Sequence, residues 1–486
     1  MLVSSQLRRG NMTKKIIFTA AVFLMGIILV SSCRDFRQPS TVVREPAMPG
    51  ESRMEYQVPA APAINLSVGE ALLAWRGITG KVDKICEGVY LARGFAIANV
   101  GMVVTKDGAV IIDSTESPEA AREILQKFQK LTDQPIKYLI YTHGHGDHTQ
   151  GSMVFYKPGV KVIATREFLE FVQFETQTIG PYLRMARNTQ SGRAEPEYAR
   201  IWLPVKSSVR ADVGTTEMAM PDITFDDYYK FELGGETFEL FHAPGETPDQ
   251  LYVWLPQKRV LFCGDNYYMS FPNLSSPMLA PRSVPDWIAS LEKAISLKPE
   301  YLVPGHSQAV IGEKAVLETL TNYHDAVKSV YDQTIACINA GKTVEQAVAE
   351  VKLPQNLAQY RYLHQYYGRV DWSVRGIYQG SIGWYDGSGV SLVPNPPSYK
   401  ARELVKLAGG ADKILNRAIE LQKANEHQLA IELCELVIQA NPNDKTAHLI
   451  KAVSLEKMAT EATSINQFGF YFSASQKEFQ AAGYKP

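Results

Sequence analysis

The sequence predicts a layered α/β domain followed by an all-helical one, and three observations carry that prediction. From Gly88 to about His306, short runs rich in Val, Ile, Leu and aromatics alternate with amphipathic segments. Past about Leu317 the strand-like runs stop and helical patterning continues almost throughout. The chain has 486 residues, 45 % hydrophobic and 21 % charged, which is material for one to three domains with a sizeable core.

At the amino end, Lys14 and Lys15 precede an apolar run from Ile16 to Val30. That run is short for a membrane span and suits a signal-peptide core. Val30-Ser31-Ser32-Cys33 resembles a bacterial lipobox, so residues 1–33 read as a lipoprotein signal peptide with lipid attached at Cys33. Residues 34–74, polar and proline-containing, read as a tether and amino-terminal extension. The expected location is the bacterial cell envelope, periplasmic or at the outer membrane, held by the lipid anchor alone.

Residues 75–316 are expected to form the α/β domain. "GVYLARG", "AVIIDS", "IKYLIYTH", "VKVIAT", "TFELFHA", "QLYVWLP" and "RVLFCGD" are bounded by Gly, Pro or Asp and read as strands. "SPEAAREILQKFQKL" is a helix with Ser117 as N-cap and Pro118 at its first position; Ile124, Leu125, Phe128 and Leu131 recur at helical spacing. "SVPDWIASLEKAISL" is a second amphipathic helix.

Residues 317–486 are expected to form the helical domain. Breaks at "ANEH" and "ANPND" divide "ADKILNRAIELQKANEHQLAIELCELVIQANPNDKTAHLIKAVSLEKMA" into three helices, a tetratricopeptide-like pattern. One clear copy makes part of a domain, not a solenoid. The stretch from Tyr360 to Tyr385 is dense in Tyr and Trp and reads as core, interface or pocket wall, with Tyr378 and Trp384 singled out.

The net charge of −1 and the absence of a basic patch with interleaved aromatics exclude nucleic acid as a partner. Cys86, Cys263, Cys337 and Cys434 form no CxxC, so neither a thiolate metal site nor a disulfide framework is indicated.

The chemistry concentrates in "YTHGHGDHTQG", from Tyr141 to Gly151. A strand runs straight into it, and α/β folds put active sites at strand carboxyl ends. His143 and His145 alternate in an extended stretch and can face one side; Asp147 and His148 follow at the turn. Imidazole and carboxylate suit Zn²⁺, with Mn²⁺ or Fe as other occupants. A surface His-rich loop is the plain alternative, and three histidines plus an aspartate at H-x-H-x-D-H argue against it.

This motif resembles the signature of the metallo-β-lactamase superfamily, which implies an αββα sandwich. "FHAPGETPDQ" resembles the superfamily's P-G-H-T-P-G loop, with Glu246 where the usual histidine stands. "LFCGDNYY" supplies Asp265 and "YLVPGH" supplies His306. Glu in place of His is similar to the alkylsulfatase branch; that branch typically has Glu where this chain has Asp265. "GRVDWSVRGIYQGSIGWYDG" and the helices after "ARELVKLAGGADKILNRA" resemble the alkylsulfatase dimerisation domain, which implies a homodimer.

The resemblance implies two zinc ions. His143, His145 and Glu246 would hold one, Asp147, His148 and His306 the other, and Asp265 would bridge. Two dications with three carboxylates leave the site at about +1, which favours an anionic substrate. A divalent cation lowers the pKa of bound water to about 7. Asp147 and Asp265 are the expected catalytic carboxylates. The implied substrate is a small anionic ester with an aliphatic chain, an alkyl sulfate cleaved to alcohol and inorganic sulfate. Asn273 matches the branch's sulfate-binding Asn. Its Arg position holds Met278, and a short insertion brings Arg282 back within reach; a surface Arg is the other reading. "NYYMSFPN" lacks the histidines the branch carries there, leaving Tyr267 or Tyr268 as donors or as packing residues. The alternatives are another hydrolase on the same centre, acting on a lactone, β-lactam, thioester or phosphoester, and a non-catalytic binding lipoprotein.

Overall fold

The computed structural model describes residues 56, 57, 59, 80–190 and 217–484, so the segment read as a signal peptide with Cys33 and nearly all of the segment read as a tether lie outside the described residues. The chain divides into two compact units, residues 71–188 with 203–393, and residues 1–70, 189–202 and 394–486.

In the first unit two sheets stack. One runs β1 (Lys81–Cys86), β2 (Val89–Arg93), β3 (Val100–Val104), β4 (Ala109–Ile112), β5 (Ile136–Ile140), β6 (Lys161–Thr165) and β7 (Ile223–Phe225) in simple order. It is antiparallel to β4 and parallel from β4 to β7. The other has the order β13 (Val310–Ile311), β12 (Tyr301–Val303), β11 (Val260–Phe262), β10 (Leu251–Leu255), β9 (Glu236–His242), β8 (Tyr228–Leu233). The segments read as strands from their apolar runs are strands. β1, β3, β7, β8 and β13 escaped because their patterns are interrupted by charge or glycine or are very short.

Strand periodicity of two sorts each side chain to one face. Val110 and Ile112 of β4, Leu251, Val253 and Leu255 of β10 and Phe262 of β11 fill the layer between the sheets. Ala109 and Ile111 of β4 turn outward against Ile124 and Phe128 of α1 (Pro118–Phe128). Tyr252 and Trp254 of β10 turn the other way, into the cluster of Trp287 and Leu291 from α5 (Val284–Ser296). The order helix, sheet, sheet, helix is therefore the αββα sandwich. Ser117 caps α1 as expected, its side chain accepting from Ala120 N at 3.2 Å.

Further helices that start in this unit include α2 (Gly146–Thr149), α3 (Glu167–Gln173), α4 (Gly180–Gln190), α5 (Val284–Ser296), α6 (Glu313–Asn339) and α7 (Val370–Ile382). The compact units divide after Val393, so the helices between 317 and 393, expected with the helical domain, pack with the sandwich. Val316, Leu320, Tyr323 and Val327 of α6 and Val374 of α7 are buried in the same apolar cluster as Tyr252 and Trp287. Leaving those faces in water would expose about 1.5–3 kcal/mol of burial per large side chain, so the first helices close the sandwich's second face.

In the second unit, α8 (Ala411–Lys423), α9 (His427–Ala440) and α10 (Lys445–Thr460) fall between the breaks read from "ANEH" and "ANPND", and α11 (Ile465–Ala481) follows. Leu415, Ala418, Ala430, Cys434 and Ile450 make its core. Among the described residues all four cysteines are free thiols.

One polar cluster in this unit ties stability to pH. The His448 ring nitrogens face two acceptors, the Glu478 carboxylate and Pro442 O, and Lys451 reaches Glu478 at 2.6 Å and Glu435 at 2.5 Å. Burial works to lower the His448 pKa, but these acceptors outweigh it and raise it above the usual histidine value. A raised histidine contributes stability that is complete below its unfolded pKa and is lost as pH rises through the folded one. The thermal midpoint of this unit is therefore expected to fall as pH is raised from about 6.5, the ordinary histidine value. His448→Gln is expected to flatten that slope, and an unchanged slope in the variant would sink the assignment.

Candidate metal centre

The ends of the strands gather one set of side chains. β5 delivers His143 and His145, and α2, which follows at once, carries Asp147 and His148. The turn from β9 to β10 carries Glu246, β11 ends before Asp265, and β12 ends before His306. Two triads close: His143, His145 and Asp265, and Asp147, His148 and His306, the ligand atoms within each lying within 4.8 Å of one another.

Asp265 joins them. Its Oδ2 is 3.8 Å from His143 Nε2, 3.4 Å from His148 Nε2 and 3.0 Å from His306 Nε2. His306 Nε2 also lies 3.4 Å from Asp147 Oδ2. His148 Nε2 and Asp265 Oδ1 are buried with no hydrogen-bond partner among the described residues. Orphaned buried polar atoms aimed into a cluster of imidazoles and carboxylates are what a divalent cation would satisfy, so the donor set fits a binuclear site. The backbone leaves room for it: a Cβ on Gly305 would sit 2.3 Å from Asp265 Oδ1 and 2.7 Å from the His148 ring.

Electrostatics divide the histidines. Burial, then the charge of His148, holds His143 well below the usual histidine range, and burial, then His143, does the same to His145. Neutral imidazole is the ligating form. Burial opposes charge on His306 too, but Asp265 and Asp147 overcome it and hold His306 up at about 10. A cation would compete with that proton for the same carboxylates.

Glu246 differs from its expected place. It lies 4.0 Å from His145 Nδ1, but both its oxygens are turned onto Arg282, at 2.5 Å from Nη2 and 2.6 Å from Nη1. The first closed triad contains Asp265, expected there as the bridge, and Glu246 stands beside it on Arg282. A carboxylate this deeply buried needs a countercharge, and the guanidinium fork supplies it. Burial still pushes Glu246 up to about 8 against the pull of Arg282.

The surface reading of Arg282 is corrected by the same geometry: its side chain is 11 % exposed, and Nη1 also donates to Asn273 O. Beside it, Asn273 is buried, with both amide atoms unpartnered among the described residues. Tyr268 accepts from Asn273 N at 2.7 Å and so holds that loop, whereas Tyr267 is a core residue packed edge-on against Tyr323. Tyr378 is corrected to a packing residue, its hydroxyl donating to Lys342 O at 2.9 Å, and Trp384 is 68 % exposed. Of the aromatic stretch, Tyr367 is buried among the charges of Glu246, Arg282, Asp147 and Asp265. Its ring meets Tyr268 at 5.8 Å, and burial, then the charge of Glu246, keeps its hydroxyl protonated.

Sequence reasoning missed Asp113. Its Oδ2 lies 2.8 Å from His148 Nδ1 and accepts from Thr142 Oγ1 at 2.8 Å, while Oδ1 accepts from Thr142 N at 2.8 Å. Asp113 does this from φ 60°, a left-handed conformation that aspartate tolerates better than most residues. The signal was present: "AVIIDS" ends a strand in an aspartate, one strand away from the histidine loop.

Comparison with known proteins agrees with this picture. The metallo-beta-lactamase superfamily profile matches residues 93–306, and the alkyl sulfatase dimerisation profile matches residues 343–480. A linear primary-alkylsulfatase of a Pseudomonas species is 34% identical over 385 residues, 77% of this chain and 73% of that protein. An alkyl/aryl-sulfatase of Saccharomyces cerevisiae is 28% identical over 399 residues, 78% of this chain and 61% of that protein. Among solved structures, the stereoselective inverting sec-alkylsulfatase Pisa1 from Pseudomonas sp. superposes with a TM-score of 0.76 at 25% identity, over 87% of this chain and 68% of the other.

Proposed function

The chain belongs to the alkylsulfatases of the metallo-β-lactamase superfamily, and from that premise we propose that it hydrolyses alkyl sulfate esters to an alcohol and inorganic sulfate. The observation that carries the reading is the pair of triads meeting at Asp265, with a buried, unpartnered amide and a buried guanidinium beside them.

His143, His145 and Asp265 would hold one divalent cation, with Glu246 beside them on Arg282, and Asp147, His148, His306 and Asp265 would hold the other, with zinc favoured by the imidazole-rich donor set. When bound, such ions supply positive charge and a water of lowered pKa. The chain's own groups do the rest. Asp147, the most open of the ligand carboxylates at 27 % side-chain exposure, orients the attacking water. Arg282 neutralises Glu246, so an anionic ester meets no uncompensated carboxylate there, and its guanidinium is the proposed sulfate clamp. Asn273 offers an amide N–H, and Tyr367 a protonated hydroxyl, to the sulfate oxygens. Sulfate is a good leaving group, so a strong general acid is not required. Phe174, Tyr182 and Met185, exposed on the segment that follows α3, offer apolar surface for the alkyl chain.

The test is inorganic sulfate release from dodecyl sulfate and from a secondary alkyl sulfate by protein loaded with Zn²⁺, with His145→Ala as control. Release by the wild type and none by the control is expected. Protein carrying two metals that releases sulfate from neither ester would defeat the reading and turn attention to lactones and phosphoesters.

The working form is a homodimer, and Cys33 anchors it by lipid to the cell envelope. For the dimer surface we favour the exposed apolar run Ile382, Trp384, Val390, Leu392 and Val393, which falls within the dimerisation match. Trp384→Ala is expected to weaken self-association about 30-fold, the effect of losing an interface hot spot of about 2 kcal/mol. Sedimentation equilibrium reads this directly, and an unchanged dimer constant would move the interface elsewhere.

A further inference from the structure

Each ligand histidine has two ring nitrogens, one facing the cluster and one facing away. For three of them the outward nitrogen has a partner from the sandwich itself: His148 Nδ1 meets Asp113 at 2.8 Å, His306 Nδ1 meets Ile97 O at 2.9 Å, and His143 Nδ1 meets Thr142 Oγ1 at 3.1 Å. His145 is reversed. Its Nδ1 faces inward, 3.0 Å from His143 Nε2, and its outward Nε2 points at Glu175, with 4.0 Å to Oε1.

Glu175 sits there because of an irregularity in the backbone. Residues Phe174–Thr178 form a π-turn between α3 and α4, closed by Ile179 N donating to Phe174 O at 3.1 Å. Such turns insert one residue into a helix and recur at functional sites. The other Glu175 oxygen, Oε2, accepts from Arg187 Nη2 at 2.6 Å, and Arg187 lies three turns along, on α4. The Glu175 side chain is 12 % exposed and its carboxylate is therefore held between a guanidinium and a ligand histidine. Phe171, on the turn before, packs edge-on against the His145 ring at 5.7 Å between centroids.

We propose that Glu175, steadied by Arg187, is the positioning residue for His145: its carboxylate faces Nε2, favours the tautomer with the proton there and the Nδ1 lone pair towards the centre, and so sets affinity at the triad of His143, His145 and Asp265. The 4.0 Å separation is longer than a hydrogen bond, so the carboxylate acts on the ring as an opposite charge held close by Arg187. A carboxylate behind a ligand histidine raises its basicity and fixes its ring, and removal typically costs about 10–100-fold in metal affinity. The inference rests on the metal-centre reading above but not on the identity of the ester.

The experiment is Zn²⁺ binding to the full chain by chelator competition, with the thermal midpoint measured alongside. Glu175→Ala is expected to weaken one of two zinc sites about 10–100-fold while leaving the other unchanged. Glu175→Asp is expected to restore part of the loss. Arg187→Met should weaken the same site less, and the double variant should be no worse than Glu175→Ala alone, since both act through one contact. Wild-type zinc affinity at both sites in Glu175→Ala would overturn the proposal, as would equal weakening of both sites. Should Glu175→Ala fail to fold, Glu175→Gln, which keeps an acceptor oxygen but loses the charge, reads the same site; unchanged affinity there together with unchanged affinity in Arg187→Met would overturn it. If the wild type binds two zinc ions but releases no sulfate, the sulfatase reading fails while this comparison still stands.

Discussion

Asp265→Asn is expected to empty both metal sites and to lower sulfate release by about a thousandfold or more, a barrier increase of several kcal/mol. The reason is topological. Asp265 Oδ2 faces a nitrogen of the first triad, His143 Nε2, and two of the second, His148 Nε2 and His306 Nε2. No other carboxylate among the described residues approaches both triads so closely. The amide keeps the shape but removes the negative charge that would offset two dications, and it turns an NH₂ group towards the imidazoles in one of its two orientations. Metal content by elemental analysis checks the first half of this expectation and sulfate release the second. Retention of two metals with loss of activity would make Asp265 a chemical group and not a bridge. Retention of both would remove it from the centre.

Arg282→Met is expected to act twice. Glu246 would be left buried without its countercharge, a loss of about 3–5 kcal/mol, visible as a lower thermal midpoint. Turnover of an anionic ester would fall about 10²–10³-fold with the loss of a preorganised cationic donor. The two effects separate in the double variant with Glu246→Gln. A neutral pair needs no countercharge, so stability should return in large part, while the lost turnover should not. Arg282→Lys keeps the charge but not the planar fork that meets both Glu246 oxygens, so an intermediate midpoint is expected. An Arg282→Met protein with unaltered stability and turnover would contradict the buried geometry on which this rests.

These two residues show how differently the centre was written into the chain. Asp265 was reached through the family resemblance, which the short motif "LFCGDNYY" carries just past the end of a strand. The partner of Glu246 could not be fixed in that way: Arg282 lies 36 residues away, displaced by four positions from the place the family resemblance suggests, and a surface position was an equally good reading of the sequence. The aromatic stretch from Tyr360 to Tyr385 was visible as a feature, yet nothing in its composition distinguished Tyr367, which packs against Tyr268, from Tyr378, which bonds Lys342 O, or from exposed Trp384.

What the sequence by itself determined is whatever depends on neighbours along the chain. Strand alternation assigned faces in β4 and β10, Ser117 and Pro118 set the start of α1, and H-x-H-x-D-H brought four metal-binding side chains onto one loop, because a spacing of two in extended backbone puts side chains on one side. What only the tertiary structure decided is how charge is balanced across distance. Asp113 behind His148, Arg282 on Glu246 and Arg187 on Glu175 each join residues that share no local pattern. The same holds for the boundary after Val393, fixed by which apolar faces α6 and α7 bury. A buried charge must find a partner wherever the fold brings one within reach, and that reach is a property of packed strands and helices, not of sequence spacing.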